Sequence, residues 1–236
     1  LLYNIYLQET FRNNIKAKGI RMTIDFYYSP SSAPCRSILL LGKGLGIEFN
    51  LIEMRMRNGD TKKPEFVKLN YQHTIPTIVD NGFVLWESRA ILEYFVEQYA
   101  NDDSLFPNDP EKRARVNQKL YFDMGTLYQR FGDYFYKLMA GKVPLDPEIY
   151  KKMEEGVGFL NTGLEGQKFA AGDTLTIADF ALVATISTYE VIKFDLSKYP
   201  NVVQWFERCK KTMPGYEVNQ KGVEEFMKKI EAAFPK

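Results

Sequence analysis

The sequence predicts an α/β domain built as βαβ followed by ββα, and then an all-helical domain. Three observations carry that prediction. Apolar residues alternate with period two near the start, an Asn-Gly pair divides two short apolar runs, and beyond a proline-punctuated polar stretch at residues 101–110 the period-two pattern disappears.

Ile24, Phe26 and Tyr28 alternate with Thr23, Asp25 and Tyr27, the period of a half-buried strand. Ser29-Pro30-Ser31-Ser32 forms a turn, and Pro34 falls where a helix best tolerates proline. Ile38, Leu39, Leu41 and Leu45 follow at near-helical spacing until Gly44 and Gly46. Phe49 to Met54 reads as a second strand, which makes a right-handed parallel βαβ unit. Thr77 to Asp80 and Phe83 to Leu85 flank Asn81-Gly82, the signal of a type I′ hairpin. A helix is expected from about Glu87 to Tyr99, with Ala90, Ile91, Tyr94 and Phe95 on one side. This order is that of a thioredoxin-like sheet, expected over residues 22–101.

The second domain, residues 110–236, reads as helices near 110–140, 147–165, 177–193 and 200–211, with a short one near 222–232. Thr176 and Asp179 have capping-box spacing, with Leu175 and Phe180 placed as a hydrophobic staple. The run from Phe180 to Ala184 is apolar all round, so this helix belongs in the middle of its domain. Asp179 is read as folding information, without a direct catalytic role.

A chain of 236 residues with 45% hydrophobic content can bury a full core. Lys plus Arg number 31 against 30 Asp plus Glu, and a net charge of +1 gives no reason to expect a nucleic-acid partner. Cys35 and Cys209 cannot make a disulfide framework or a metal cluster, so a reducing, cytoplasmic setting is expected. The single histidine, His73, removes most Ser/His, Cys/His and zinc-hydrolase mechanisms. No apolar run approaches the ~20 residues of a membrane span, and the longest is broken by Asp179 and Thr185. Residues 1–21 carry Glu9, Arg12, Lys16 and Lys18 and no small-residue cleavage site. They are expected to be a poorly ordered extension, with Met22 as the natural start.

Six segments carry a family resemblance: Tyr27-Tyr28, Ser32-Ala33-Pro34-Cys35-Arg36-Ser37, Gln72-His73-Thr74-Ile75-Pro76-Thr77, Trp86-Glu87-Ser88-Arg89-Ala90-Ile91, the run from Tyr121 to Tyr128, and the run from Ala171 to Asp179. In order and with few gaps, from Met22 to about Gly215, they resemble an insect delta-class glutathione transferase. The C-terminal tail departs from the commoner aromatic ending. The resemblance implies conjugation of reduced glutathione to small hydrophobic electrophiles, a homodimer, and no metal or bound cofactor, with glutathione as co-substrate. A non-catalytic carrier of hydrophobic ligands and a glutathione-dependent peroxidase or thiol-transfer enzyme are the rival readings.

The resemblance makes Ser32 the residue that holds the glutathione thiol as its thiolate; Ser29 and Ser31 compete for the role, and Ser31 stands where the family often has glycine. At a strand-to-helix turn an anion also meets backbone N–H groups and the positive helix end. Lowering a thiol pKa by roughly two units costs ~2.7 kcal/mol, which one charge-assisted hydrogen bond (~1.5 to 3) plus the helix end (~0.3 to 1) supplies. Thiolate then rises from ~3% to ~75% at neutral pH, but a Brønsted coefficient of ~0.45 leaves a net gain of only a few-fold. Proximity and orientation must supply much of the rest. Cys35 has the spacing of a CxxC motif whose first cysteine is serine, which leaves no resolving pair, so it reads as a small core residue.

By the same resemblance, Ile75-Pro76 is a cis-proline turn in which Ile75 pairs through its main chain with the cysteinyl part of glutathione, after His73 and Thr74, with His73 facing the glycine carboxylate. Thr61 stands where relatives often carry another histidine, and Tyr71 departs from the usual Asn-Pro-Gln-His. Ser88 binds the γ-glutamyl carboxylate, Glu87 accepts from its amine, and Arg89 adds a cation nearby. Ala33, Tyr128, Phe131, Tyr136 and Met139 form the electrophile wall, Tyr136 foremost. Tyr121 inserts into a partner subunit. Asp123 either reaches the glutathione network across a dimer interface or is a solvent-facing helix charge.

Overall fold

The computed structural model describes residues 23–141 and 147–233. Residues 1–21 and Met22, on which the expectations of an extension and a start site fall, lie outside them.

Four strands form one sheet: β1 (Ile24–Tyr28), β2 (Phe49–Glu53), β3 (Thr77–Asp80) and β4 (Phe83–Trp86), in the spatial order β2-β1-β3-β4. β1 and β2 run parallel with Ile24 opposite Phe49, while β3 is antiparallel to both β1 and β4. The hairpin between β3 and β4 turns on Asn81 (φ 51°) and Gly82 (φ 83°), the paired positive φ of a type I′ turn. The βαβ crossover is α1 (Ala33–Leu45), with Pro34 in its first turn and Cys35, Ile38, Leu40 and Leu41 buried. Gly46 ends it in the left-handed region (φ 69°), its N–H returning to Gly42 and Lys43 carbonyls. Two 3₁₀ turns, Met56–Asn58 and Asp60–Lys62, and a six-residue α2 (Pro64–Leu69) link β2 to β3. These are too short to show a hydrophobic period, and the sequence reading did not anticipate them. The helix α3 (Ser88–Tyr99) completes the first domain, with Ile91, Leu92, Phe95 and Val96 buried.

The second domain is helical: α4 (Pro110–Phe122), a π-helical segment (Asp123–Tyr128), α5 (Gln129–Met139), α6 (Pro147–Gly163), α7 (Ile177–Val191), α8 (Pro200–Thr212) and α9 (Tyr216–Ala233). Almost every side chain of α7 is buried, and it packs directly on α1, joining the two domains through one continuous core. Asp179 is fully buried and accepts hydrogen bonds from Thr176 N (2.9 Å), Ala170 N (2.8 Å) and Trp205 Nε1 (2.8 Å). Its carboxylate ties the start of α7 to the preceding loop and to α8, a folding role.

Two expectations are corrected. The stretch expected as one helix at 110–140 contains the π segment, and the last helix begins at Tyr216 rather than near 222. Its polar first turns are recruited by tertiary contact: Asn219 is fully buried and donates to Ser187 Oγ on α7 at 3.1 Å. Local propensity could not reveal that partner.

Candidate functional site

Sheet register brings three separate chain segments to one edge. Tyr27 pairs with Thr77, and Thr77 with Trp86, so the end of β1, the start of β3 and the end of β4 share a row. Just beyond that row lie the Ser29–Ser32 turn, the Ile75-Pro76 turn and Glu87-Ser88. Both α1 and α3 begin there, so their N-terminal N–H groups and positive helix ends face the same region.

Ser32 is the N-cap of α1, in extended conformation (φ −79°, ψ 120°), yet its side chain makes no capping hydrogen bond. Its hydroxyl approaches the Cys35 thiol instead. Burial pushes that thiol up to about 11, and the Ser32 hydroxyl, a Ser29 backbone contact and Arg36 only partly oppose the rise. Cys35 is therefore a protonated core thiol at neutral pH.

The loop before β3 is held from inside by Asn70, which is fully buried. Asn70 Nδ2 donates to Thr74 O (3.1 Å) and Thr77 Oγ1 (2.9 Å), its Oδ1 accepts from Gln72 N (2.9 Å), and its carbonyl accepts from His73 N (2.9 Å). Trp86 ties the outer side to β4, with Nε1 donating to Gln72 Oε1 (2.6 Å) and its ring meeting Tyr71 edge-on at 5.2 Å. Within this brace the Ile75-Pro76 peptide is cis, His73 and Thr74 are exposed, Ile75 is half-buried and Pro76 is buried. Thr61 is buried, so its side chain does not reach the surface where relatives often place a histidine.

Glu87 is the N-cap of α3 and adopts φ 70°, ψ 105°, a conformation that costs a non-glycine residue roughly 1–3 kcal/mol. It is exposed, whereas Ser88 is buried. Arg89 Nη1 donates to Ser88 Oγ (2.8 Å), Nη2 pairs with Asp123, and the guanidinium carbon lies 5.8 Å from the Tyr128 ring centroid. Asp123 is fully buried within its own chain, so the solvent-facing alternative does not hold. The π segment supplies both Asp123 and Tyr128 to Arg89, and such segments recur at functional sites. Arg89 Nε and Asp123 Oδ1 are buried without a protein hydrogen bond.

The five wall residues divide. Ala33 is buried at the start of α1, and Tyr128 is half-buried beside Arg89. The Tyr128 hydroxyl is pushed up by burial, then by nearby Tyr136 and Cys35. Tyr136 is 72% exposed on α5, and Met139 is half-buried. Phe131 is not brought to the surface: its ring is buried between Phe135 (5.5 Å) and Tyr189 (5.4 Å), as core. Asn70 does carry a signal in the sequence, since an asparagine before a turn is a known turn former. Phe226 on α9, which meets Phe135 at 5.1 Å, carries no local signal.

The sequence matches the family model of the glutathione S-transferase N-terminal domain over residues 22–97 and that of the C-terminal domain over residues 130–211. It is 51% identical to a delta-class glutathione transferase of Nilaparvata lugens of known structure, over 89% of this chain and 99% of that one, with a TM-score of 0.86. The chain belongs to the glutathione S-transferase family. A glutathione S-transferase from Anopheles dirus is 42% identical over 89% of this chain and 99% of its own, with a TM-score of 0.80. A Drosophila mojavensis glutathione transferase homologue, solved with bound glutathione, is 29% identical over 90% of this chain and 98% of its own, with a TM-score of 0.84. The protein is thus a glutathione transferase of delta-class type, with a thioredoxin-like first domain and glutathione as its co-substrate. Among the described residues no helix is long and apolar enough to cross a membrane.

Proposed function

We propose that this transferase conjugates glutathione to small hydrophobic electrophiles with the sulfur held as a thiolate at Ser32. The supporting observation is a hydroxyl at the N-cap of α1 that is not engaged in capping, on the sheet edge where two helices begin. The thiol proton leaves to solvent, the thiolate attacks, a carbon–sulfur bond forms, and the electrophile's leaving group departs with its bonding pair.

The glutathione backbone lies along the edge. The main chain of Ile75 pairs with the cysteinyl unit in the turn closed by Pro76, and His73 and Thr74 sit toward the glycine carboxylate. Ser88 and the first N–H groups of α3 bind the γ-glutamyl carboxylate, and Glu87 accepts from the amine. Arg89 acts from behind, fixing the Ser88 hydroxyl and engaging Asp123. Ala33, Tyr128 and Tyr136, with Met139 nearby, form the wall for the electrophile. Tyr121, 60% exposed, and half-exposed Met124 beside it are offered to a second copy in a homodimer. Two buried free cysteines fit a cytoplasmic setting.

Replacing Ser32 tests the reading. Ser32→Ala lowers conjugation at neutral pH by at least about tenfold, through the lost hydrogen bond and the lost placement of sulfur. Activity of the variant climbs as pH approaches the free-thiol value of about 8.5, where thiolate forms unaided, while binding of an apolar ligand persists. Unchanged conjugation, or a bound thiol whose ultraviolet titration matches free glutathione in the native protein, rejects the assignment.

A further inference from the structure

The helix α9 lies across the serine turn and brings a cation to it. Gly222, Phe226 and Lys229 are spaced i, i+4, i+7 and share one helix face. At Gly222 the helix touches the turn so closely that a Cβ would fall 2.4 Å from Pro30 O and 2.5 Å from Arg36 Cδ. Phe226 packs edge-on against Phe135 at 5.1 Å, and Phe135 lies 5.9 Å from Tyr136. Lys229 Nζ donates to Ser31 Oγ at 3.2 Å, and Ser31 Oγ lies 3.2 Å from Ser29 Oγ. One face of α9 therefore spans from Ser31, the residue beside Ser32, to Phe135, the ring next to Tyr136, and at its Ser31 end stand two hydroxyls and one ammonium.

We propose that Lys229, held by Ser31 and Ser29, is a specificity-determining residue that favours electrophiles bearing an anionic group, a carboxylate above all. The aromatic side of the wall accepts the apolar body of such a molecule, and the ammonium receives its charge at the sulfur end. Lys229 is exposed, and an exposed charge contact is worth ~0.2–1 kcal/mol, so the preference is about fivefold at most and screened by salt.

This inference rests on the Ser32 reading. The probes are a neutral chlorodinitrobenzene and its carboxylated counterpart, a chlorodinitrobenzoate. In both, the glutathione sulfur bonds to the ring carbon, chloride leaves with the carbon–chlorine pair, and the thiol proton goes to solvent. Lys229→Met lowers kcat/KM for the benzoate about threefold to fivefold and for the neutral probe less than about twofold, with KM for glutathione unchanged. Lys229→Arg keeps the preference, Lys229→Glu reverses it, and about 1 M salt erases it in the native protein. Equal changes for both probes, an unchanged ratio, or a rise in KM for glutathione alone overturns the proposal. Ser32→Ala, by contrast, depresses both probes together, so failure of the serine assignment is read separately.

Discussion

The two sides of the proposed site are built by different physics. The proposed glutathione side consists of turns and helix starts: Ser32 at one N-cap, Glu87 at another, and a loop braced by Asn70, all aligned by the register of three strands. Its functional groups are mainly backbone N–H and C=O, whose positions follow once the strands pair. The proposed electrophile side is made of side chains projecting from α1, the π segment and α5, with those of α9 beside them, and its geometry depends on how distant helices pack.

The Arg89–Asp123 pair is one place where the two domains join, and breaking it gives the largest expected effect. Arg89 belongs to the sheet domain and Asp123 to the helical one, and both are nearly or fully removed from water. Arg89→Met strands a buried carboxylate, which costs about 3–5 kcal/mol, measured as a drop in urea-unfolding free energy. Pairing Arg89→Met with Asp123→Leu recovers most of that loss, since the penalty arises from the uncompensated charge. A single substitution without effect on stability would mean that the two domains are fastened by their other contacts, α1 against α7 among them.

Asn70 sharpens the contrast from the glutathione side alone. It touches no part of the electrophile wall, yet it holds Gln72, His73, Thr74 and Thr77 in place. Asn70→Ala leaves several of these groups without their buried partner, at about 2–3 kcal/mol in stability. The expected kinetic signature is a rise of about tenfold in KM for glutathione, with selectivity among electrophiles unaltered. A change in electrophile preference would show that the two sides are less independent than their construction implies.

The same division explains what could be read from the sequence. The strands, α1, the Asn81-Gly82 hairpin and the Thr176–Asp179 start of α7 were legible because each is specified within a few residues by periodicity, capping or turn chemistry. Ser32, Ile75-Pro76 and Glu87-Ser88 sit where those elements begin and end, so their places were legible, while the roles given to them come from the resemblance. The positive φ of His73 and Glu87 has no sequence signature of that kind, since neither residue is glycine. Phe131 and Tyr136 look alike as aromatics at helical spacing, and only packing decided that one is core and the other exposed. Lys229 reaches Ser31 across 198 positions, and Asn219 reaches Ser187 across 32, contacts that exist only after folding.

The smallest expected effect concerns which sulfur does the chemistry. Ser32 and Cys35 are three residues apart, yet one hydroxyl is at the site edge and the other side chain is core. Burial holds the Cys35 thiol up to about 11 in the folded chain, against 9.0 for the free group. A raised folded pKa means that its contribution is fully present below pH 9. Above that the unfolded chain loses the proton first, so stability falls until about pH 11. One pKa unit corresponds to about 1.4 kcal/mol, so the stability difference between the native protein and Cys35→Ala shrinks by about 2 kcal/mol over that window. Denaturant unfolding of both proteins at stepped alkaline pH measures the difference. Conjugation by Cys35→Ala at neutral pH stays within about twofold of the native rate, because a protonated core thiol is not the nucleophile. A large loss of conjugation, or disulfide exchange that disappears with this one substitution, would transfer the chemistry from the bound sulfur to the resident one.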